Sequence, residues 1–159
     1  MEFQRTHNSL KEDFEALYRI ADSNRQSSGL NSTLVRSCCR EFMAFIEADI
    51  YLINQFNPYL NYDDKHYFVD KFKKTFKHHA ADFDKKPTVQ RFQARWYRIL
   101  LKIKGRRDQF THPKNKASLA ADVQELDELY EVYGVYCEYV NEMMHHIGVS
   151  AVLPWIKNH

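Results

Sequence analysis

Apolar residues recur along this chain at the spacing of buried helix faces, and that pattern predicts a succession of helices. Leu10, Phe14, Leu17, Tyr18 and Ala21 share one face behind a capping box, Ser9-Leu10-Lys11-Glu12, and Ser27-Ser28-Gly29 ends the helix they define. A second, longer helix is expected from Asn31 or Ser32, both good N-caps, to the stop at Asn57-Pro58. Its stripe, including Val35, Cys38, Phe42, Phe45, Ile46, Ile50 and Ile53, is wide, as a central bundle helix requires. Glu47 interrupts that stripe and reads in two ways. It either reaches a neighbouring arginine and orients it, or stands exposed on the polar side, the latter being preferred.

Asp63 and Asp64 are expected to open a third helix, closed by His78-His79, with Tyr67, Phe68, Phe72 and Phe76 inside. The four-residue spacing of the three phenylalanines marks them as core rather than as rings for stacking bases. A polar loop from Asp82 to Pro87 precedes a fourth helix whose inner side carries Val89, Phe92, Trp96, Ile99, Leu100 and Ile103. Gly105 near its end is a place to bend or to admit another backbone. A fifth helix is predicted from Ser118 to His146, stopped at Gly148, with Leu126, Leu129, Tyr133, Tyr136 and Val140 along its apolar face. The apolar tail 148–159, with Pro154-Trp155-Ile156, is expected to dock on the bundle or on a partner. The fold expected is all-α, an up-and-down bundle of about five helices in a single domain spanning 1–159.

Composition narrows the class. A chain of 159 residues with 44% hydrophobic and 14% aromatic content is not disordered, and four Gly and four Pro suit long elements. No apolar run is long enough to cross a bilayer and no leader stands at the start, so a cytoplasmic protein without membrane contact is expected. Cys38-Cys39 and the lone Cys137 fit neither a disulfide framework nor a metal-ligand spacing, and read as buried thiols. Glu142-Met143-Met144-His145 matches the E-x-x-H of di-iron bundles, but no second copy accompanies it, so that reading is rejected. G-x-x-x-x-G-K, G-x-S-x-G and H-E-x-x-H are missing. No cofactor and no metal are expected.

A formal net charge of +2 hides a strong segregation. Residues 65–116 hold sixteen Lys or Arg against four acids, a net +12, and the remainder carries −10. Such an imbalance either faces a polyanion, nucleic acid being the preferred reading, or solvates two exposed helix faces. The residues expected to hold RNA are Lys73, Lys74 and Lys77 on the third helix, Lys102, Lys104 and Arg106 on the fourth, and Lys114 and Lys116 beyond it.

Inside that segment lies Arg106-Arg107-Asp108-Gln109-Phe110-Thr111-His112-Pro113. A guanidinium holds phosphate oxygens bidentately, and an imidazole moves protons near neutral pH. The opposing reading is a helix end where arginine complements the dipole and His-Pro stops the helix. On an ideal helix Arg107 and His112 stand about 140° apart. Pro113 biases His112 away from helical geometry, so the last turn can deform.

An R-x4-H-P motif closing a helix of an all-helical chain resembles the HEPN family (higher eukaryotes and prokaryotes nucleotide-binding), whose catalytic members are metal-independent ribonucleases. The resemblance implies a homodimer in which two motifs meet across a cleft. Carried onto this sequence, Arg107 binds the scissile phosphate and His112 takes the ribose 2′-hydroxyl proton, leaving a 2′,3′-cyclic phosphate and a 5′-hydroxyl. Asp108 would be the polar residue after the arginine, where Asn is the commonest form. The resemblance also implies a toxin or phage-defence effector with a protein antitoxin or regulator as partner. The alternative is a catalytically silent helical dimer binding RNA or protein. Arg107 and His112 buried in internal contacts, or facing away from a shared cleft, would favour the silent form.

Overall fold

The computed structural model describes the backbone of residues 2–157, with side chains described for 2–27 and 30–145. It is all-helical, as the periodicity predicts. The helices are α1 (Glu2–Ser23), α2 (Ser28–Phe56), α3 (Phe68–Asp82), α4 (Lys86–Arg95), α5 (Tyr97–Thr111) and α6 (Val123–Lys157), with a 3-10 turn at Lys116–Leu119. Helix α2 lies at the centre, packed on α1, α3, α5 and α6. Two aromatic clusters fill the core. Phe14, Phe42, Phe45, Tyr133 and Tyr136 join α1, α2 and α6, while Phe72, Phe76, Phe92, Tyr97 and Tyr139 join α3, α4, α5 and α6. Phe68, Phe72 and Phe76 are buried as their spacing requires, whereas Tyr67, expected on the same face, precedes the helix at its N-cap and is exposed.

Several boundaries move. Helix α1 begins at Glu2, well before Ser9, because Phe3 and His7 extend the buried stripe by two turns and no breaker separates them from Leu10. Helix α2 begins at Ser28, with Gly29 inside its first turn. Asn31 is no cap; its buried side chain donates to the Arg25 carbonyl and closes the α1–α2 turn. Asp63 does not open α3, which starts at Phe68. Its carboxylate accepts from Lys65 N at 2.9 Å, turning the chain locally, and Asn61 stands at φ 61°. The fourth predicted helix is two helices, α4 and α5, divided at Trp96. Gly105 lies inside α5 without ending it, and no other part of the described chain comes within 4 Å of where its Cβ would stand. After the 3-10 turn, α6 starts at Val123 and its backbone continues through Gly148 to Lys157. The docking expected of the tail side chains lies outside the described residues.

One polar cluster pins the first bundle layer. Asp49 on α2, fully buried, meets His7 Nδ1 of α1 at 3.0 Å and accepts from the Tyr136 hydroxyl of α6 at 2.9 Å. His7 Nε2 is buried and has no hydrogen-bond partner among the described residues. Burial raises the Asp49 carboxyl above its ordinary range, and the bonds from His7 and Tyr136 offset part of that rise. No helix among the described residues is long and apolar enough to cross a membrane.

Candidate nucleic-acid interface

The R-x4-H segment forms the end of α5 and the start of the connection to α6. Thr111 Oγ1 donates to the Arg107 carbonyl at 2.8 Å, and His112 N closes the last helical bond onto Asp108 O at 2.9 Å. His112 itself stands at φ −127°, ψ 66°, outside the helical region, as the following proline dictates. Helix α2 holds this end from behind. Arg40 donates to the Phe110 carbonyl at 2.5 Å, and Arg36 donates to the Leu119 carbonyl at 2.7 Å. Carbonyls without partners at a helix end are where a guanidinium bonds best. Asn115 then folds the lysine-rich loop, its side-chain oxygen accepting from Ser118 N at 2.9 Å.

The two residues of the motif part company. Arg107 turns toward α2, where its Nη2 bonds Glu47 Oε1 at 2.6 Å. Its Nε lies 3.3 Å from Asp108 Oδ1, an ion-pair distance without hydrogen-bond geometry. Lys104 bonds the other Asp108 oxygen at 2.5 Å. Arg107 therefore sits between two carboxylates and is only 24% exposed, so a phosphate would have to compete for it. Glu47 takes the orienting position rather than the preferred exposed one, because the α2 face carrying Ser32, Arg36 and Arg40 also carries Glu47 and packs on α5.

His112 faces elsewhere. It lines a concavity of about 470 Å³ between the end of α5 and the 3-10 turn, with Arg106, Asp108, Gln109, Lys114 and Ser118. Arg106 is held there by four contacts: Glu125 at 2.8 Å, the Ala120 carbonyl at 2.5 Å, Gln109 at 2.6 Å and the Phe110 ring at 4.5 Å. His112 and Lys114 are exposed, and neither side chain has a hydrogen bond or ion pair among the described residues. Within one chain the concavity thus offers an imidazole and a free ammonium, while Arg107 does not line it.

The basic segment divides in the same way. Lys71, Arg91, Lys102, Lys104, Arg106 and Arg107 are paired with carboxylates, Lys102 with Glu128 at 2.5 Å. Lys73, Lys74, Lys77, Lys114 and Lys116 have no carboxylate partner among the described residues and are exposed. Lys73 and Lys74 lie over the Tyr97 and Tyr59 rings at 5.0 and 5.8 Å, contacts that leave the positive charge in place.

Other reactive groups near α5 are quiescent. Cys38, Cys39 and Cys137 are buried and free, and Cys39 donates to the Ile103 carbonyl at 3.5 Å. Burial pushes the Cys38 and Cys39 thiols up to about 12 and the Cys137 thiol to about 11, so none is a thiolate near neutral pH. Glu142 of the E-x-x-H stretch bonds Thr88 and Arg91, each at 2.6 Å. Arg36, Arg40, Gln109 and Ser118 are the site residues that periodicity did not single out. The signal for the first two was their four-residue spacing on a helix otherwise committed to the core. Set against protein-family models, curated proteins and solved structures, the chain finds no match.

Proposed function

We propose that this protein binds single-stranded RNA through the basic face of α3 and the lysine-rich connection after α5, with the His112 concavity as the point of closest approach to the backbone. The observation that carries the reading is the pairing pattern. Seven exposed lysines, Lys65 and Lys86 together with Lys73, Lys74, Lys77, Lys114 and Lys116, have no carboxylate partner among the described residues on the one segment with a large positive excess, although the rest of the chain is acidic. One of them, Lys114, lines the same concavity as the exposed His112 imidazole. Bound phosphates would release counterions from such a surface.

Cleavage is the further step of this reading, and it needs a second copy. Metal-independent scission requires a proton acceptor for the 2′-hydroxyl and a cation on the same phosphate. His112 supplies the first, and Arg107 of the same chain points away from it toward Glu47. A two-fold axis beside the end of α5 would bring the other protomer's arginine to the concavity, giving a homodimeric endoribonuclease of the R-x4-H kind. In such a pair a phosphate displaces Glu47 or Asp108 from Arg107.

The second reading is a silent RNA-binding module, favoured by the Arg107–Glu47 bond itself. The separating experiment is incubation of pure protein with end-labelled RNA in EDTA. A nuclease leaves 2′,3′-cyclic phosphate and 5′-hydroxyl ends that disappear in His112→Ala. Intact RNA that is nevertheless shifted in a binding assay selects the silent module, and RNA neither cut nor bound removes both.

A further inference from the structure

Trp96 stands where α4 gives way to α5, although neither proline nor glycine lies there. Breaks of this kind in a helix have a local cause, and this one sets the indole in a cleft against α6. The cleft, about 180 Å³, is lined by Phe92, Trp96, Val135 and Tyr139, with Arg91, Glu138 and Glu142 among its polar residues. Its aromatic lining suits one planar ring system. Phe92 and Tyr139 stack at 4.4 Å and are buried, so the aromatic wall is fixed. The Arg95 guanidinium lies 4.6 Å from the Trp96 ring centre.

The two carboxylates in the cleft differ. Glu142 is occupied, its Oε1 accepting from Thr88 and Arg91. Glu138, one turn earlier on α6, is exposed and has no hydrogen-bond or ion-pair partner among the described residues. A free acceptor beside an aromatic wall attracts either a cation or a flat donor-bearing ring. Arg91 within the cleft is balanced by Glu142, so Arg95 over the indole is the charge that opposes a cation and favours a ligand carrying phosphate.

We propose that this cleft takes a guanine base, stacked against Trp96 with its N1–H and N2–H donating to the Glu138 carboxylate. Guanine alone among the four RNA bases presents two adjacent donors on its Watson–Crick edge. Adenine, cytosine and uracil each set an acceptor beside a donor, which a carboxylate, having only acceptors, repels. Stacking itself is tolerant of sequence, so the preference resides in Glu138. The base belongs to an RNA strand; that source rests on the RNA reading above, whereas the base preference does not.

The test uses the full chain carrying Trp155→Phe, so that Trp96 is the one remaining tryptophan. Its fluorescence is followed through titrations with GMP, AMP, CMP and UMP. GMP is expected to bind at least about tenfold tighter than the others, the low end of what one bidentate pair discriminates. Glu138→Gln, at an exposed position without internal bonds, should bring GMP to within about twofold of AMP. Equal affinity for all four nucleotides, a preference unchanged in Glu138→Gln, or quenching by spermidine and not by nucleotides would overturn the assignment. A short oligouridylate with one guanine is then compared with its all-uridine counterpart. Tighter binding of the guanine strand than of GMP supports the strand as source, and equal binding overturns it in favour of a free nucleotide. Loss of guanine preference with salt-dependent RNA binding intact refutes the cleft alone.

Discussion

Removing the α3 lysines should change the salt dependence of RNA binding by a calculable amount. The slope of log K against log salt for a single strand is about −0.7 per neutralised phosphate. If five of the unpaired lysines, Lys73, Lys74, Lys77, Lys114 and Lys116, each meet one phosphate, the slope is about −3.5, and affinity falls about a hundredfold between 50 and 200 mM salt. Lys102, Lys104 and Arg106 are already paired with Glu128, Asp108 and Glu125. Of these only the Lys102–Glu128 pair is exposed on both sides; exposed pairs are worth only about 0.2–1 kcal/mol, so a phosphate can replace Glu128, and that recruitment would steepen the slope to about −4.2. Fluorescence anisotropy of a labelled oligouridylate over that salt range reads the value directly. The triple change Lys73→Gln, Lys74→Gln, Lys77→Gln should flatten the slope by about 2 while leaving the fold intact, since none of the three is buried. A wild-type slope near zero would mean that the charge excess merely solvates the helices. An unchanged slope in the triple variant would move the binding face off α3.

Two further outcomes follow from the structure. Asp49→Ala leaves His7 Nδ1 and the Tyr136 hydroxyl without their shared buried acceptor and should cost about 3–5 kcal/mol in urea unfolding followed by circular dichroism; a loss below about 1 kcal/mol would contradict the cluster. Because burial raises the native Asp49 carboxyl, its contribution is full below the unfolded aspartate range and is lost as pH rises through the native value. Asp49→Asn should accordingly be most destabilised relative to wild type in acid, with the gap narrowing toward neutrality; a gap independent of pH refutes that assignment. Mixing Arg107→Ala chains with His112→Ala chains should give RNA cleavage above either variant alone, since one protomer then supplies the imidazole and its partner the guanidinium. No gain, with both variants shown to pair by sedimentation, would leave the silent module.

The fold was legible where one buried face repeats without interruption. Phe42, Phe45, Ile46, Ile50 and Ile53 announce α2, and Tyr133, Tyr136 and Val140 announce α6, because burying such a stripe outweighs local propensity. Boundaries were less legible because the competing signals are local. Ser9-Leu10-Lys11-Glu12 is a valid capping box, yet it lies inside α1. The deciding residue upstream is His7, polar in any hydropathy pattern but only 1% exposed beside Asp49. His79 hides in the same way, buried with its Nε2 3.3 Å from the Met143 carbonyl, whereas adjacent His78 turns to Asn57. A histidine that satisfies a buried acceptor counts as core, and spacing alone does not reveal its partner.

The site was legible in composition and illegible in direction. The motif and its basic surroundings stand out in the chain, and Pro113 correctly displaces His112 from helical geometry. What the spacing could state was the angle of about 140° between Arg107 and His112 on an ideal helix. Which of the two would face a neighbour depends on what α2 presents to α5, and that depends on residues sixty positions away. Glu47 decides it by bonding Arg107 at 2.6 Å. The same bond sets the condition for chemistry. An arginine already held by Glu47 and beside Asp108 offers little to a phosphate in its own chain, because the incoming charge must displace one carboxylate and approach the other. Two chains meeting at the end of α5 would add a second imidazole and a second ammonium to the groove, lowering the cost of that approach. Cleavage, on this argument, should rise with the dimer fraction, whereas binding through Lys73, Lys74 and Lys77 should not.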